Sequence, residues 1–183
     1  MTLNKKTEYL KIIGGLFLKY GFKSLGVDDI ARELGISKKT LYQEFKDKSD
    51  IIDQVVTAMI NEEESSTCMV ADESENAIDE IIQLAKMIST KFKDVHPSVI
   101  FELKKYYPVI GKKFENHKQE NVYSCMHQNL KRGIEEDLYR SNLNINIIAS
   151  LFINKIEMIM NRDFVGGDEF SFEQVYLEMM RYH

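Results

Sequence analysis

Eight residues between positions 37 and 48 have the types and spacing needed to grip a polyanion. Ser37, Lys38, Lys39, Thr40, Tyr42, Gln43, Lys46 and Lys48 put hydroxyls, an amide and four cations within twelve positions. Cations and hydroxyls meet phosphate, whereas an amide such as Gln43 or a hydroxyl such as Thr40 reads base edges. Tyr42 has two uses, a ring that packs and a hydroxyl that reaches phosphate. Glu44 repels phosphate and belongs at the far edge of any such contact. Lys38 and Lys39 break a local rule: they fall in the first turn of the helix that starts after Ser37. The positive dipole end there disfavours cations by about 0.3–1 kcal/mol each. Rules of this kind are broken most often at functional sites, and a phosphate backbone would offset the penalty. Two solvated surface lysines are the plain alternative.

The flanking elements position this set. Val27, Ile30, Ala31 and Leu34 recur at i, i+3, i+4 and i+7, one face of a helix over residues 27–34. Gly26 stands at its N-cap, and Asp28 and Asp29 suit its positive end. Gly35 ends the helix, Ile36 plugs the turn, and Ser37 caps a second helix reaching Phe45, with Leu41 and Phe45 inward. This is the outline of a helix-turn-helix, whose second helix enters the DNA major groove. A preceding helix over residues 5–20 carries the stripe Tyr9, Ile12, Ile13, Leu16, Phe17 and Tyr20. Lys5, Lys6 and Thr7 at its start either reach phosphate or are simply solvated. Asp47 caps a fourth helix, opened by Lys48, with Ile52, Val55, Val56 and Met59 on one face. That helix is expected to fade into the polar residues after Asn61, and the stretch 65–76 reads as a connection or as a helix end with a loop.

The remainder reads as helices over residues 75–93, up to Tyr107, from Pro108 to about 136, over 145–161, and after the capping-box start Ser171-x-x-Gln174. His96-Pro97, Tyr107-Pro108, Asn142–Asn144 and Gly166-Gly167 supply the breaks. No alternating strand pattern with a hairpin turn appears, so the fold class is all-α. The expectation is a three-helix DNA-binding domain over residues 1–50, with a connecting helix to about 66, and a helical ligand-binding and dimerisation domain over 67–183. That makes about nine helices.

Charge is distributed to match. The chain of 183 residues carries net charge −5, but residues 1–50 hold ten Lys and Arg against seven Asp and Glu, and the remainder fourteen against twenty-two. A basic end on an acidic body suits a protein that touches phosphate with one end only. No apolar run approaches the roughly 18 residues of a membrane span, and the N-terminus has no signal-peptide core. Cys68 and Cys125 stand apart, as reduced cysteines of a cytoplasmic protein do. His117 and His127 are not an i, i+4 pair, and Cys125 and His127 fall on different helix faces, so no metal site is expected. No nucleophile set, Gly-rich phosphate loop or paired-carboxylate arrangement stands out, so the expectation is no catalytic residue, no cofactor and no enzyme.

Gly21-Phe22, Val27-x-x-Ile30-Ala31, Leu34-Gly35-Ile36-Ser37, Thr40-Leu41-Tyr42-x-x-Phe45 and Lys48 together resemble the tetracycline-repressor (TetR) family of bacterial transcription regulators. The resemblance covers about a quarter of the chain. It implies a homodimer, formed through the last two helices, that binds a palindromic double-stranded DNA operator, usually as a repressor, and is released by a small-molecule effector. It implies that residues 37–43 are the groove-facing helix, that Tyr42 and Lys48 contact phosphate, and that Phe45 is core. Two departures alter that picture. Gly26 stands where a hydroxyl residue is frequent and offers only its backbone N–H beside Val27, and Lys39 replaces a small residue. The chain stops at His183, where members often continue, which leaves a short dimer bundle or a cut chain as readings.

The effector is not specified. Phe92, Phe101, Tyr106, Tyr107, Phe114, Tyr123, Met126, Tyr139 and Phe152 are candidates for an apolar pocket, against the alternative that they are plain core. Three other functions stay in view: a transcriptional activator on the same fold, a helical ligand-binding or interaction protein whose head does not bind DNA, and a helical enzyme.

Overall fold

The computed structural model describes the backbone of residues 3–92, 95, 98–160, 170 and 172–181, with their side chains except at 3, 4, 92, 159, 160, 172, 173 and 180. Nine helices and no strand occur among the described residues, as the sequence predicts. They are α1 (Leu3–Tyr20), α2 (Val27–Glu33), α3 (Lys38–Glu44), α4 (Lys48–Glu73), α5 (Ala77–Phe92), α6 (Val99–Tyr106), α7 (Pro108–Glu135), α8 (Ile145–Met160) and α9 (Phe172–Arg181). The breaks at His96-Pro97 and Gly166-Gly167 and the cap at Ser171 lie outside the described residues. No described helix is long and apolar enough to cross a membrane. The chain divides into two compact units, Met1–Glu63 with Asp94–His117, and Glu64–Lys93 with Lys118–His183.

In the first unit, Tyr9, Ile13 and Phe17 of α1 are buried with Ile30, Ala31, Leu41 and Phe45 of the two short helices and Ile51, Ile52, Val55 and Val56 of α4. Each fully buried aliphatic or Phe side chain contributes about 1.5–3 kcal/mol. The stripe on α1 is narrower than its sequence suggests, for Ile12 and Tyr20 are 41% and 46% exposed. Helix α6 joins this core through Val99 and Leu103, and Ile110 of α7 is buried in it too. Gly21 ends α1 with φ +84°, and its N–H donates to Phe17 O at 2.9 Å. Gly35 ends α2 with φ +64°. The Gly35 and Ile36 N–H groups return to Arg32 O and Ala31 O at 3.1 and 3.0 Å, the Schellman arrangement, with Ile36 packed on the core.

In the second unit, Ile81 and Ala85 of α5, Met126 and Leu130 of α7, Ala149, Phe152 and Ile156 of α8 and Tyr176 of α9 form the core. The ring of Tyr176 stands edge-on to Phe152 at 6.0 Å, and burial pushes its hydroxyl pKa up. Helix α4 does not fade after Asn61 but runs on to Glu73, so the stretch 65–76 is a helix end with a loop and not a connection. Its polar C-terminal end is satisfied at long range. The Arg132 guanidinium donates to Ala71 O at 3.0 Å and to Ser74 O at 2.8 Å, and pairs with Glu80 at 3.4 Å and Glu136 at 2.6 Å. Glu136 in turn accepts the Ala77 N–H at 2.8 Å, at the start of α5. Arg132, with the Ser74 hydroxyl that donates to Val70 O, thus closes the carbonyl end of α4 where a glycine or a water usually would.

Candidate nucleic-acid interface and effector pocket

Helix α3 is held from both ends. Ser37 Oγ accepts the Thr40 N–H at 3.0 Å, and the Thr40 hydroxyl lies 2.8 Å from the same oxygen. At the far end, Lys6 Nζ lies 3.5 Å from Glu44 O and 5.3 Å from the Phe45 ring centroid, a cation at the negative end of the helix. Lys6 therefore supports α3 in place of standing free. Asp47 caps α4 by accepting the Asp50 N–H at 2.9 Å, while Asp50 accepts the Lys46 N–H at 2.8 Å. These bonds hold the turn between α3 and α4. The Gln54 amide and the Lys46 N–H lower the Asp50 pKa.

With Leu41 and Phe45 0% and 1% exposed, the opposite side of α3 is left to solvent. Lys39, Tyr42 and Gln43 are exposed on it, and Lys46 is exposed just beyond; Tyr42 is 43% exposed. Two residues in the set are already engaged. Lys38 Nζ pairs with Asp28 of α2 at 3.0 Å, and that hydrogen bond raises the Lys38 pKa. The Gly26 N–H donates to Asp29 Oδ2 at 3.0 Å, so the one donor this position offers is taken up within the α2 cap. Val27 is half-buried against the core. Lys48 is half-buried, and this burial lowers its pKa, opposed by the charges of Glu102 and Asp29.

A pocket of about 640 Å³ opens in the second unit. Ile81, Met126, Leu130 and Phe152 are its buried walls, while Ile78, Leu138 and Leu151 at its edge are 45%, 42% and 52% exposed. Its end is shaped by the turn after α7. There Asp137 takes φ 58°, and the Leu138 and Tyr139 N–H groups both reach back to Gly133 O at 2.9 Å. That reversal lays the Tyr139 ring over Gly133, where a Cβ would collide with the ring. The Tyr139 hydroxyl donates to Asn129 Oδ1 at 3.1 Å, and Asn129 Nδ2 donates to Ala77 O at 2.8 Å. Burial, with the charges of Glu80 and Glu136 behind it, pushes the Tyr139 pKa up to about 12.

Of the aromatic set drawn from the sequence, Met126, Tyr139 and Phe152 line this pocket. Tyr123 packs on the second core with its hydroxyl 3.3 Å from Asn146. Phe101, Tyr107 and Phe114 belong to the first unit. Phe101 is 60% exposed beneath Lys105, Tyr107 stands edge-on to Phe22, and Phe114 packs on the first core. The Phe92 side chain lies outside the described residues. The sequence reading passed over Asn129, Arg140, Lys155 and Arg181, all of which line the pocket. The adjacent pair Ile81-Ile82 was a usable signal, since apolar residues on neighbouring helical positions face more than one side.

Residues 15–55 match the family profile described as bacterial regulatory proteins, tetR family. The N-terminal module belongs to the tetR family. Beyond it the tetR likeness is one of fold, carried at low identity over nearly the whole chain. A tetR-family transcriptional regulator from Agrobacterium tumefaciens superposes with a TM-score of 0.77 at 17% identity, covering 98% of this chain and 97% of that one. A transcriptional regulator from Cytophaga hutchinsonii gives 0.76 at 19% identity, covering 97% and 93%. The transcriptional regulator FadR from Bacillus subtilis, solved in complex with stearoyl-CoA, gives 0.72 at 13% identity, covering 96% of each chain. No curated protein matches the sequence.

Proposed function

We propose that this chain is a sequence-specific DNA-binding transcriptional regulator, a repressor that binds a palindromic operator as a homodimer and is released by a small-molecule effector. Residues 1–50, with the connecting helix to about 66, form its DNA-binding domain, and 67–183 its ligand-binding and dimerisation domain. The observation that carries this reading is α3 itself. Its inward face is fully buried, its ends are fixed by side-chain bonds, and its outward face presents Lys39, Tyr42 and Gln43 to solvent with Lys46 just beyond. A rigid polar helix of this kind suits a major groove. On α8, Ile147, Leu151 and Met158 are 56%, 52% and 41% exposed at spacings of four and seven, an apolar strip suited to pairing with a second copy. FadR, a neighbour in fold, was solved with stearoyl-CoA, which supports a ligand-responsive reading of the second unit. The chain is taken to act in the cytoplasm, without enzymatic activity.

A two-state account follows. The effector shifts the population only through its differential affinity for the DNA-competent and DNA-incompetent states, and a swing from 1:99 to 99:1 needs about 5.5 kcal/mol. Selection of bound sites from random double-stranded DNA tests the reading. Enrichment of one inverted repeat, protected by a dimer and salt-sensitive, is expected. Binding without sequence preference at low salt would sink it.

One alternative has an observation of its own. Lys38 is engaged by Asp28 and the Gly26 N–H by Asp29, which favours a helical ligand-binding protein whose head no longer holds DNA. Absence of any DNA binding by a dimer that still takes up ligand separates the two readings.

A further inference from the structure

The lining of the second-unit pocket is one-sided in charge. Its polar residues at the inner end, Asn129 and Tyr139, satisfy each other and Ala77 O, so the interior presents apolar surface with no idle donor in that pair. Three cations line the pocket from three separate elements: Arg140 from the turn after α7, Lys155 from α8 and Arg181 from the last turn of α9. No carboxylate lines it among the described residues. Arg181 has a partner, Glu178 at 3.2 Å, on an exposed pair. Arg140 and Lys155 have no ion-pair partner among the described residues. The volume of about 640 Å³ fits a single small molecule.

From this arrangement we infer that the pocket binds an amphipathic anion, with an apolar tail against Ile81, Met126, Leu130 and Phe152 and a carboxylate or phosphate head met by Arg140 and Lys155. The inference rests on the reading of the second unit as the effector domain and adds the chemical class of the effector. Arg and Lys stems also cover apolar surface while their heads stay in water. That role alone would produce no preference for a charged head group, and this separates it from the site inferred here.

The experiment is calorimetric titration of the full chain with decanoate, decyl phosphate, 1-decanol and decyltrimethylammonium, each below its aggregation concentration. Decanoate or decyl phosphate is expected to bind saturably, at least tenfold more tightly than decanol, with the ammonium weakest; the two anions compared tell which head is preferred. The double substitution Arg140→Gln and Lys155→Gln is expected to bring the anions to the level of decanol. Lys131→Gln, on the exposed face of α7, leaves them unchanged. Equal binding of decanol and decanoate overturns the proposal, as does an unaltered affinity in the double variant with its melting temperature retained, or no binding by any probe. Operator binding measured on the same preparations without probe keeps the two readings apart. Its failure beside charge-selective uptake removes the regulator and leaves the ligand class. Its success beside uptake without charge preference does the reverse.

Discussion

The carboxylate of Glu102, on α6, accepts the backbone N–H of Lys23 at 2.8 Å across 79 residues of sequence. It also receives the Ser98 hydroxyl at 2.9 Å. Within the first unit this single side chain ties the 94–117 segment to the bend between α1 and α2. The same oxygens crowd Gly21, where a Cβ would sit 2.8 Å from Glu102 Oε2 in a backbone already at φ +84°.

Glu102→Ala should lower the stability of the first unit by about 1–2 kcal/mol, the usual worth of a charge-assisted bond at a partly exposed site. Gly21→Ala should lower it further, since strain from the left-handed backbone adds to the clash. Urea unfolding gives both values, and faster amide exchange at Lys23 in Glu102→Ala would place the loss at the bend.

On DNA, Lys48→Gln and Gln43→Ala should fail differently. The first should weaken binding to every sequence alike and flatten the dependence of log K on log salt by about 1. The second should lose about 1–3 kcal/mol on the preferred site only and broaden selection at one base position. Equal losses on specific and random DNA for Gln43→Ala would remove it from base reading.

Arg132 makes a third case. Replacing it with Met leaves Glu80, 4% exposed, facing two freed carbonyls at the end of α4. A loss of stability is expected, smaller than for breaking a fully buried pair because Arg132 is itself 29% exposed. Adding Glu80→Gln should return part of it. Thermal unfolding of the three variants measures the coupling.

Response to pH has two limbs. Glu136 is held below its ordinary pKa by the Ala77 N–H first and Arg132 second, and Asp50 by Gln54 first and the Lys46 N–H second. In each case the unfolded chain takes up the proton at higher pH than the native one. Their stabilisation is complete above the unfolded carboxylate range of about 4 and is lost as pH falls through the lowered values. Tyr139, pushed up to about 12, works the other way: its contribution is complete below about 10, the usual tyrosine pKa, and is lost as pH rises through 12. Melting temperature against pH should show both limbs, and Glu136→Gln should flatten the acid one.

Ile147→Glu on α8 should convert the proposed dimer to a monomer without unfolding it, because that side chain is 56% exposed in the single chain. Sedimentation beside circular dichroism decides. An unchanged mass would move the pairing surface elsewhere.

Where structure followed sequence, the signals were local. Ser37, Gly35 and the pair Leu41 and Phe45 act within a few residues of themselves, so α2, the turn and α3 could be laid out directly. The end of α4 was not legible, because what satisfies it is Arg132, some sixty residues on. Nor were the pocket cations: Arg140 and Lys155 look like ordinary surface charge until the reversal at Asp137 and the packing of α8 bring them to one opening. The aromatic set divides between two cores for the same reason, since Tyr107 and Phe114 are sorted by which neighbours α6 and α7 meet and not by their own spacing.

The Lys38–Asp28 pair has a thermodynamic consequence on a polyanion. Lys39 and Lys46, with no ion-pair partner among the described residues, would displace condensed counterions from DNA when they dock, and each such release sharpens the dependence on salt. Lys38 arrives with its counter-charge already in place. If it touches a phosphate, whether Asp28 is exchanged or shared, that carboxylate stays near the strand and repels it. Four lysines of the same formal charge between positions 38 and 48 are therefore unequal, and a count of cations on this face overstates the number of ions its docking sets free.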